Sequence, residues 1–181
     1  MHIVSMLSIC QFPKNRLQYP PFCISCLPMS GPETISIRPM SESDLDAVLA
    51  IEHASFPAAW RREHFLHELV APHAFPFVAA ADGEVAGYVC LMSLFDEAQI
   101  LDIAVDPRQR GRGIARQLME HAFKVARMQG AEFMALEVRA SNMAAITLYE
   151  RLGFVRTGVR RGYYEGKEDA VLMEKSLLGD S

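Results

Sequence analysis

"VDPRQRGRGIARQLMEHAFKVARM", Val105 to Met128, is the stretch on which the rest of the chain depends. Between Arg108 and Arg116 it sets two glycines and four arginines, where an apolar run ends and a helical period begins. A helix start leaves backbone N–H groups unpartnered and carries a partial positive charge. Glycines ahead of it let the main chain approach a ligand closely and take positive φ. Arg108, Arg110, Arg112 and Arg116 add forked cations that suit phosphate oxygens. The combination predicts a strand-to-helix loop that holds a phosphate.

Two kinds of phosphate loop do not fit. A Walker loop ends in Lys-Ser or Lys-Thr, and neither follows here. A dinucleotide fingerprint matches at Gly111 and Gly113, but its third glycine position is Arg116. No acid stands at a strand end about 20 residues on, where such a site needs one.

Outward from the loop the pattern is regular. A helix from about Gly113 to Gln129 carries Ile114, Leu118, Ala122 and Val125 at the 3.6 period, with Gly130 after its end. Upstream, "FPFVAAADGEVAGYVCLMSLF" predicts a β-hairpin turning at Asp82-Gly83, and "EAQILDIAV" a strand hairpin-connected to it. Earlier still, "TISIRPM" alternates as a strand. "SESDLDAVLAIEHASF" predicts a helix capped by Ser41 or Ser43, with Leu45, Val48, Leu49 and Glu52 at helical spacing. "RREHFLHELV" predicts another helix. Downstream, "EFMALEV" is a strand and "SNMAAITLYERLGF" a helix capped by Ser141 and ended by Gly153. "FVRTGVRR" and "DAVLMEKSL" close the series as strands. The order β-α-α-β-β-β-α-β-α-β-β predicts an α/β fold, a mixed sheet with helices on its faces.

The chain has 181 residues, half of them apolar and 22% charged, which is enough for one core. A net charge of −4 argues against direct nucleic-acid binding, which draws on a basic surplus. No apolar run approaches the ~20 residues of a membrane span, and Lys14 and Arg16 follow the apolar start instead of preceding it. The expectation is a cytoplasmic protein with no membrane partner.

Residues 1–32, with five prolines in "QFPKNRLQYPPFCISCLPMSGP", read as an irregular extension, and 33–178 as the domain. Met29 is a candidate true start. Cys10, Cys23 and Cys26 read as unpaired thiols in that extension, and Cys90 as a small core residue. The six histidines form no triad or ligand set, so no metal site is expected.

The run Arg110-Gly-Arg-Gly-Ile-Ala115 resembles the [QR]-x-x-G-x-[GA] loop of the GCN5-related N-acetyltransferases. "LDIAVDP", "LEVRASNMAAITLYERLGF", "RRGYY" and "EDAVLM" are similar, within that superfamily, to the bacterial ribosomal-protein alanine N-acetyltransferases. The likeness spans about residues 35 to 175. It implies a mostly antiparallel sheet of about six to seven strands flanked by about four helices, with the cofactor in a splay between two central strands. It implies acetyl-coenzyme A as co-substrate and the N-terminus of a small-subunit ribosomal protein as acceptor. By the same resemblance, Gly111, Arg112, Gly113, Ile114, Ala115 and Arg116 hold the pyrophosphate. Ile103, Ala104 and Val105 meet the pantetheine arm through their backbone, and Asn142 contacts the cofactor. Tyr163, Tyr164 and "HASFPAAWRREHF" border the acceptor groove. There the aromatic follows "FPAA" and not "FP" directly, a departure from the family pattern.

The chemistry is acetyl transfer from a thioester to an amine. A peptide α-amine has a pKa near ~8 against ~10.4 for lysine, so a modest base suffices, and the leaving thiolate must gain a proton. Glu137 interrupts the apolar "FMALEVR" and is the candidate base. Tyr149, on the following helix, is the candidate acid, either protonating the sulfur or orienting it. The absence of a cysteine suited to carry acetyl favours direct attack in a ternary complex. The alternatives are other protein N-termini, lysines or small amines as acceptors, and a non-catalytic acetyl-coenzyme A-binding module.

Overall fold

A computed structural model describes residues 35–179; the expectations for the irregular extension, for Cys10, Cys23 and Cys26 and for Met29 lie outside the described residues. Seven strands and four helices follow the order read from the sequence: β1 (Ile35–Pro39), α1 (Leu45–Ser55), α2 (Arg62–Val70), β2 (Ala74–Ala81), β3 (Glu84–Leu94), β4 (Glu97–Val105), α3 (Ile114–Met128), β5 (Phe133–Arg139), α4 (Met143–Arg151), β6 (Val155–Tyr164) and β7 (Glu168–Ser176). They form one sheet in the order β1-β2-β3-β4-β5-β7-β6. Every pair is antiparallel except β4 with β5. This is the mixed, mostly antiparallel α/β architecture expected.

Local chemistry sets the turns. Asp82 and Gly83 take φ of 52° and 88°, the positive pair that a two-residue hairpin between twisted strands requires. At the entry to α1 a 3-10 turn, Glu42–Asp44, is closed by a capping box. The Ser41 N–H and hydroxyl both donate to Asp44 Oδ2 at 2.8 Å. Arg38 clamps the same carboxylate at 2.6 and 2.7 Å, which holds Asp44 well below the usual carboxylate range.

Side chains that alternate along each strand feed two cores, one on each face. Phe77, Ala79, Val89, Leu91, Leu136 and Val138 pack with α3 and α4, whose Leu118, Met119, Ala122 and Ile146 are buried. Val78, Tyr88, Cys90 and Ala104 face α1 and α2 with Leu45, Val48 and Phe65. Fully burying one of the Val, Leu, Ile, Phe or Met side chains among them contributes about 1.5–3 kcal/mol.

Candidate active site

Strands β4 and β5 run parallel and pair only from Glu97–Ile100 against Phe133–Leu136. Pairing stops there, although β4 continues to Val105 and β5 to Arg139. On the other side of β4 the register slips: Cys90 faces Asp102 and Leu91 faces Ile100, which leaves Leu101 as the extra residue of a bulge. The strands part, and a cavity of about 890 Å³ lies between their ends, within the range of small-molecule sites. Ile103, Ala104 and Val105 line it from β4, and Glu137, Val138 and Arg139 from β5.

The start of α3 forms another wall. Gly111 and Gly113 take φ of 79° and 76°, and Gly113 is the left-handed cap of the helix. A side chain at either glycine would meet no atom within 4 Å. Backbone conformation and open approach, and not crowding, are therefore what demand glycine here. Gln117 N–H donates to Gly113 O at 3.1 Å. The N–H groups of Ile114, Ala115 and Arg116 come before it in the first turn, where an anion is favoured. Gly111, Gly113, Ile114, Ala115 and Arg116 all line the cavity.

The arginines divide. Arg110 lines the cavity, held by Val105 O at 3.2 Å and Ser55 Oγ at 3.1 Å. Arg116 lines it too, with its Nε on Glu120 Oε1 at 2.7 Å. Arg112 is outside the lining and donates to Gln109 Oε1. Arg108 turns back on Asp106, 2.7 Å from Nη2 to Oδ2. The four forks expected from the sequence are thus two at the cavity.

Glu137 alternates with Leu136 and Val138, which are buried toward α3 and α4; its side chain therefore faces the α1 and α2 side. It is 19% exposed and paired with Arg160 Nη1 at 2.9 Å. Tyr149 enters from α4, buried against Phe154 with ring centroids 5.8 Å apart. Burial raises its pKa, so the phenol stays protonated. Asn142 lines the cavity and also caps α4, its Oδ1 accepting from Ala145 N–H at 3.2 Å. Ser141, expected as that cap, instead donates its N–H to Glu168 Oε1 at 2.9 Å.

Phe56, Pro57, Ala58 and Trp60 supply the wall opposite, joined by Tyr164. The Trp60 N–H donates to Glu52 Oε1 at 2.6 Å, and its ring lies 5.3 Å from Phe65. Tyr164 carries the Arg139 guanidinium 4.1 Å above its ring, and Arg139 is itself held by Glu165 and Glu168 at 2.7 and 3.0 Å. Burial, with Glu137 next in effect, pushes the Tyr164 phenol up to about 12. Tyr163 stands outside the lining, exposed, with Arg160 4.8 Å from its ring.

Sequence reasoning missed a group on the same side. Tyr88 Oη is hydrogen-bonded to Glu52 Oε2 and, at 2.9 Å, to Asp102 Oδ2. Glu52 and Asp102 both line the cavity. The signals were an acid at core spacing in α1 and an acid inside the apolar "LDIAV" of β4.

Residues 45–154 match the model of the Acetyltransferase (GNAT) family. The chain belongs to this family. It is 36% identical over 141 residues to the [ribosomal protein bS18]-alanine N-acetyltransferase of Escherichia coli (strain K12), covering 76% of this chain and 95% of that protein. It is 34% identical over 154 residues to the N-alpha-acetyltransferase of Sulfurisphaera tokodaii, covering 78% and 92%. The crystal structure of the Escherichia coli ribosomal-protein-S18-alanine N-acetyltransferase superposes with a TM-score of 0.74 at 34% identity, over 80% of this chain and 94% of that one.

A GNAT enzyme is an acyltransferase that draws acetyl from acetyl-coenzyme A. The residues here suit that donor: first-turn amides and two arginines for a diphosphate, and a strand end unpaired on one side for an amide-bearing arm. Among the described residues, no helix of this GNAT chain is long and apolar enough to cross a membrane.

Proposed function

We propose that this enzyme acetylates the α-amino group of the N-terminal alanine of a small-subunit ribosomal protein, by direct attack within a ternary complex. The observation that carries the reading is a single cavity in which Glu137 and Tyr149 share the lining with the open amides of α3 and an aromatic wall around Trp60. The relative from Escherichia coli, named for alanine of ribosomal protein bS18, supports that acceptor. A ribosomal acceptor supports a cytoplasmic enzyme.

In this reading the amides of Ile114, Ala115 and Arg116 hold the diphosphate, with Gly111, Arg112 and Gly113 completing the loop. Backbone groups of Ile103 to Val105 grip the arm, and Asn142 fixes the loop that borders it. Acetyl-coenzyme A supplies the activated acyl group when bound. Glu137, directly or through a water, takes a proton from the attacking nitrogen. Tyr149 donates a hydrogen bond to the sulfur as it leaves.

The test is an acetylation assay on peptides that copy the ribosomal protein's N-terminus, varied at the first residue and read by mass spectrometry, with free lysine as control. Acetyl on the α-amine of the alanine peptide is expected. Equal or faster modification of lysine overturns the reading.

A further inference from the structure

We propose that Glu52 is a positioning residue for the acceptor: buried beneath the aromatic wall, it holds the stretch from Phe56 to Trp60 at both ends and so fixes the face of the cavity on which the peptide's first residue rests. The inference rests on the reading of a peptide α-amine as acceptor and deepens it.

The stretch gets little support from regular structure. It joins α1 to α2 and belongs to neither, and Pro57 within it has no N–H to donate. Its first residue is tied where Phe56 N–H donates to Glu52 O at 2.9 Å. Its last is tied where Trp60 N–H donates to Glu52 Oε1 at 2.6 Å. One residue thus supplies both acceptors, its main chain at one end and its side chain at the other. Between these ties, Phe56, Pro57, Ala58 and Trp60 line the same cavity as Glu137.

Glu52 is itself braced from below. Its second oxygen, Oε2, meets Tyr88 Oη, and Tyr88 Oη lies 2.9 Å from Asp102 Oδ2. A line of hydrogen bonds therefore runs from the Trp60 main chain, through Glu52 and Tyr88, to β4 where it leaves β5. A line of rings runs beside it: Trp60 lies 5.3 Å from Phe65, and Phe65 lies 5.5 Å from Tyr88. Glu52 is 1% exposed and Tyr88 fully buried, so these contacts are shielded from bulk water. A partly buried N–H that loses its acceptor is costly, so removal of the carboxyl favours a wall that has shifted.

The role is geometric and not basic. A phenol has one proton to give and cannot serve two carboxylates at once, so one of the two contacts needs a proton that belongs to a carboxyl. The cluster already holds that proton and is not poised to take another from the substrate. Glutamine at position 52 therefore keeps every contact. Its amide oxygen takes the Trp60 N–H, its amide nitrogen donates to Tyr88 Oη, and Tyr88 gives its own proton to Asp102. Alanine keeps only the main-chain tie to Phe56.

The test uses the full chain with acetyl-coenzyme A and the alanine peptide, and compares wild type, Glu52→Ala and Glu52→Gln. In Glu52→Ala the peptide KM is expected to rise about tenfold or more, with kcat and acetyl-coenzyme A affinity within about twofold of wild type. Trp60 is the chain's single tryptophan, so its fluorescence reads the wall without any peptide. Acrylamide should quench it more readily in Glu52→Ala, and Glu52→Gln should match wild type throughout. An unchanged peptide KM in Glu52→Ala, a fall in kcat and cofactor affinity as large as the rise in KM, or a glutamine variant as impaired as the alanine one overturns the proposal. Because the alanine variant can fail to fold, hydrogen exchange at the Trp60 amide supplies a second reading. Protection in wild type and in Glu52→Gln supports the tie, and exchange at the rate of an open chain overturns it. Failure of the broader reading is distinct: wild type would then leave the peptide's α-amine unmodified, while tryptophan quenching would still follow Glu52.

Discussion

Arg160 Nη1 lies 2.9 Å from Glu137 Oε1, so the edge strand β6 reaches past β7 to the carboxylate proposed as base on β5. The pair fixes the carboxylate at the lip of the cavity. Glu137→Gln keeps the shape and removes the proton acceptor. The expected result is a kcat lower by about 10²–10⁴ with acetyl-coenzyme A affinity unchanged. Steady-state kinetics alongside calorimetry checks it, and equal activity sinks the assignment.

Gly113 holds φ of 76° at the cap of α3. A β-branched residue there takes on a strain of about 1–2 kcal/mol and covers the first-turn amides. Gly113→Val is expected to weaken acetyl-coenzyme A binding tenfold or more. Unaltered affinity by calorimetry would reject the pyrophosphate role.

Gly87 is a packing glycine behind the same site. A Cβ there would sit 2.9 Å from Ala104 O, 3.2 Å from Val105 Cγ2 and 3.3 Å from Ile114 Cγ2. Gly87→Ala must push on the end of β4 and the start of α3 together. A loss of about 1–3 kcal/mol is expected, read by denaturant unfolding, with weaker cofactor binding. A neutral effect on both would show that the wall yields freely.

Asp102 also leaves a signature in stability. Its folded pKa, about 8, is above the ordinary carboxylate value, so the folded state binds more protons than the unfolded state in between. The stabilisation is complete below about pH 4 and is lost as pH rises to about 8. Asp102→Asn should flatten the fall in melting temperature between pH 5 and pH 8. A fall of equal slope in the variant would contradict the shifted carboxyl.

Much of the scaffold was legible because local signals agree with the fold. Asp82-Gly83 dictates its hairpin, and the stripe from Ile114 to Val125 dictates α3. The phosphate loop was readable since its glycines and its place before a helix are both local. Partnerships across strands were not. Glu137 with Arg160 depends on the order β5-β7-β6, which places a late edge strand two strands away from the base. Tyr88 with Glu52 joins residues 36 apart in sequence. Ser141 and Asn142 are both good caps, and nothing local decides between them; in the structure Asn142 Oδ1 accepts from Ala145 N–H, while the Ser141 N–H donates to Glu168 across the sheet end. Arg108 reads as a phosphate ligand in the sequence, and its pairing with Asp106, two residues back, appears only in the structure.

In the proposed reaction the parted ends of β4 and β5 aim an acetyl group between Glu137 and Tyr149. A crystal structure with acetyl-coenzyme A measures this directly. The diphosphate should rest on the amides of Ile114 to Arg116, with the sulfur within about 3.5 Å of Tyr149 Oη. A sulfur lodged away from both side chains, or a diphosphate off the first turn of α3, would contradict it.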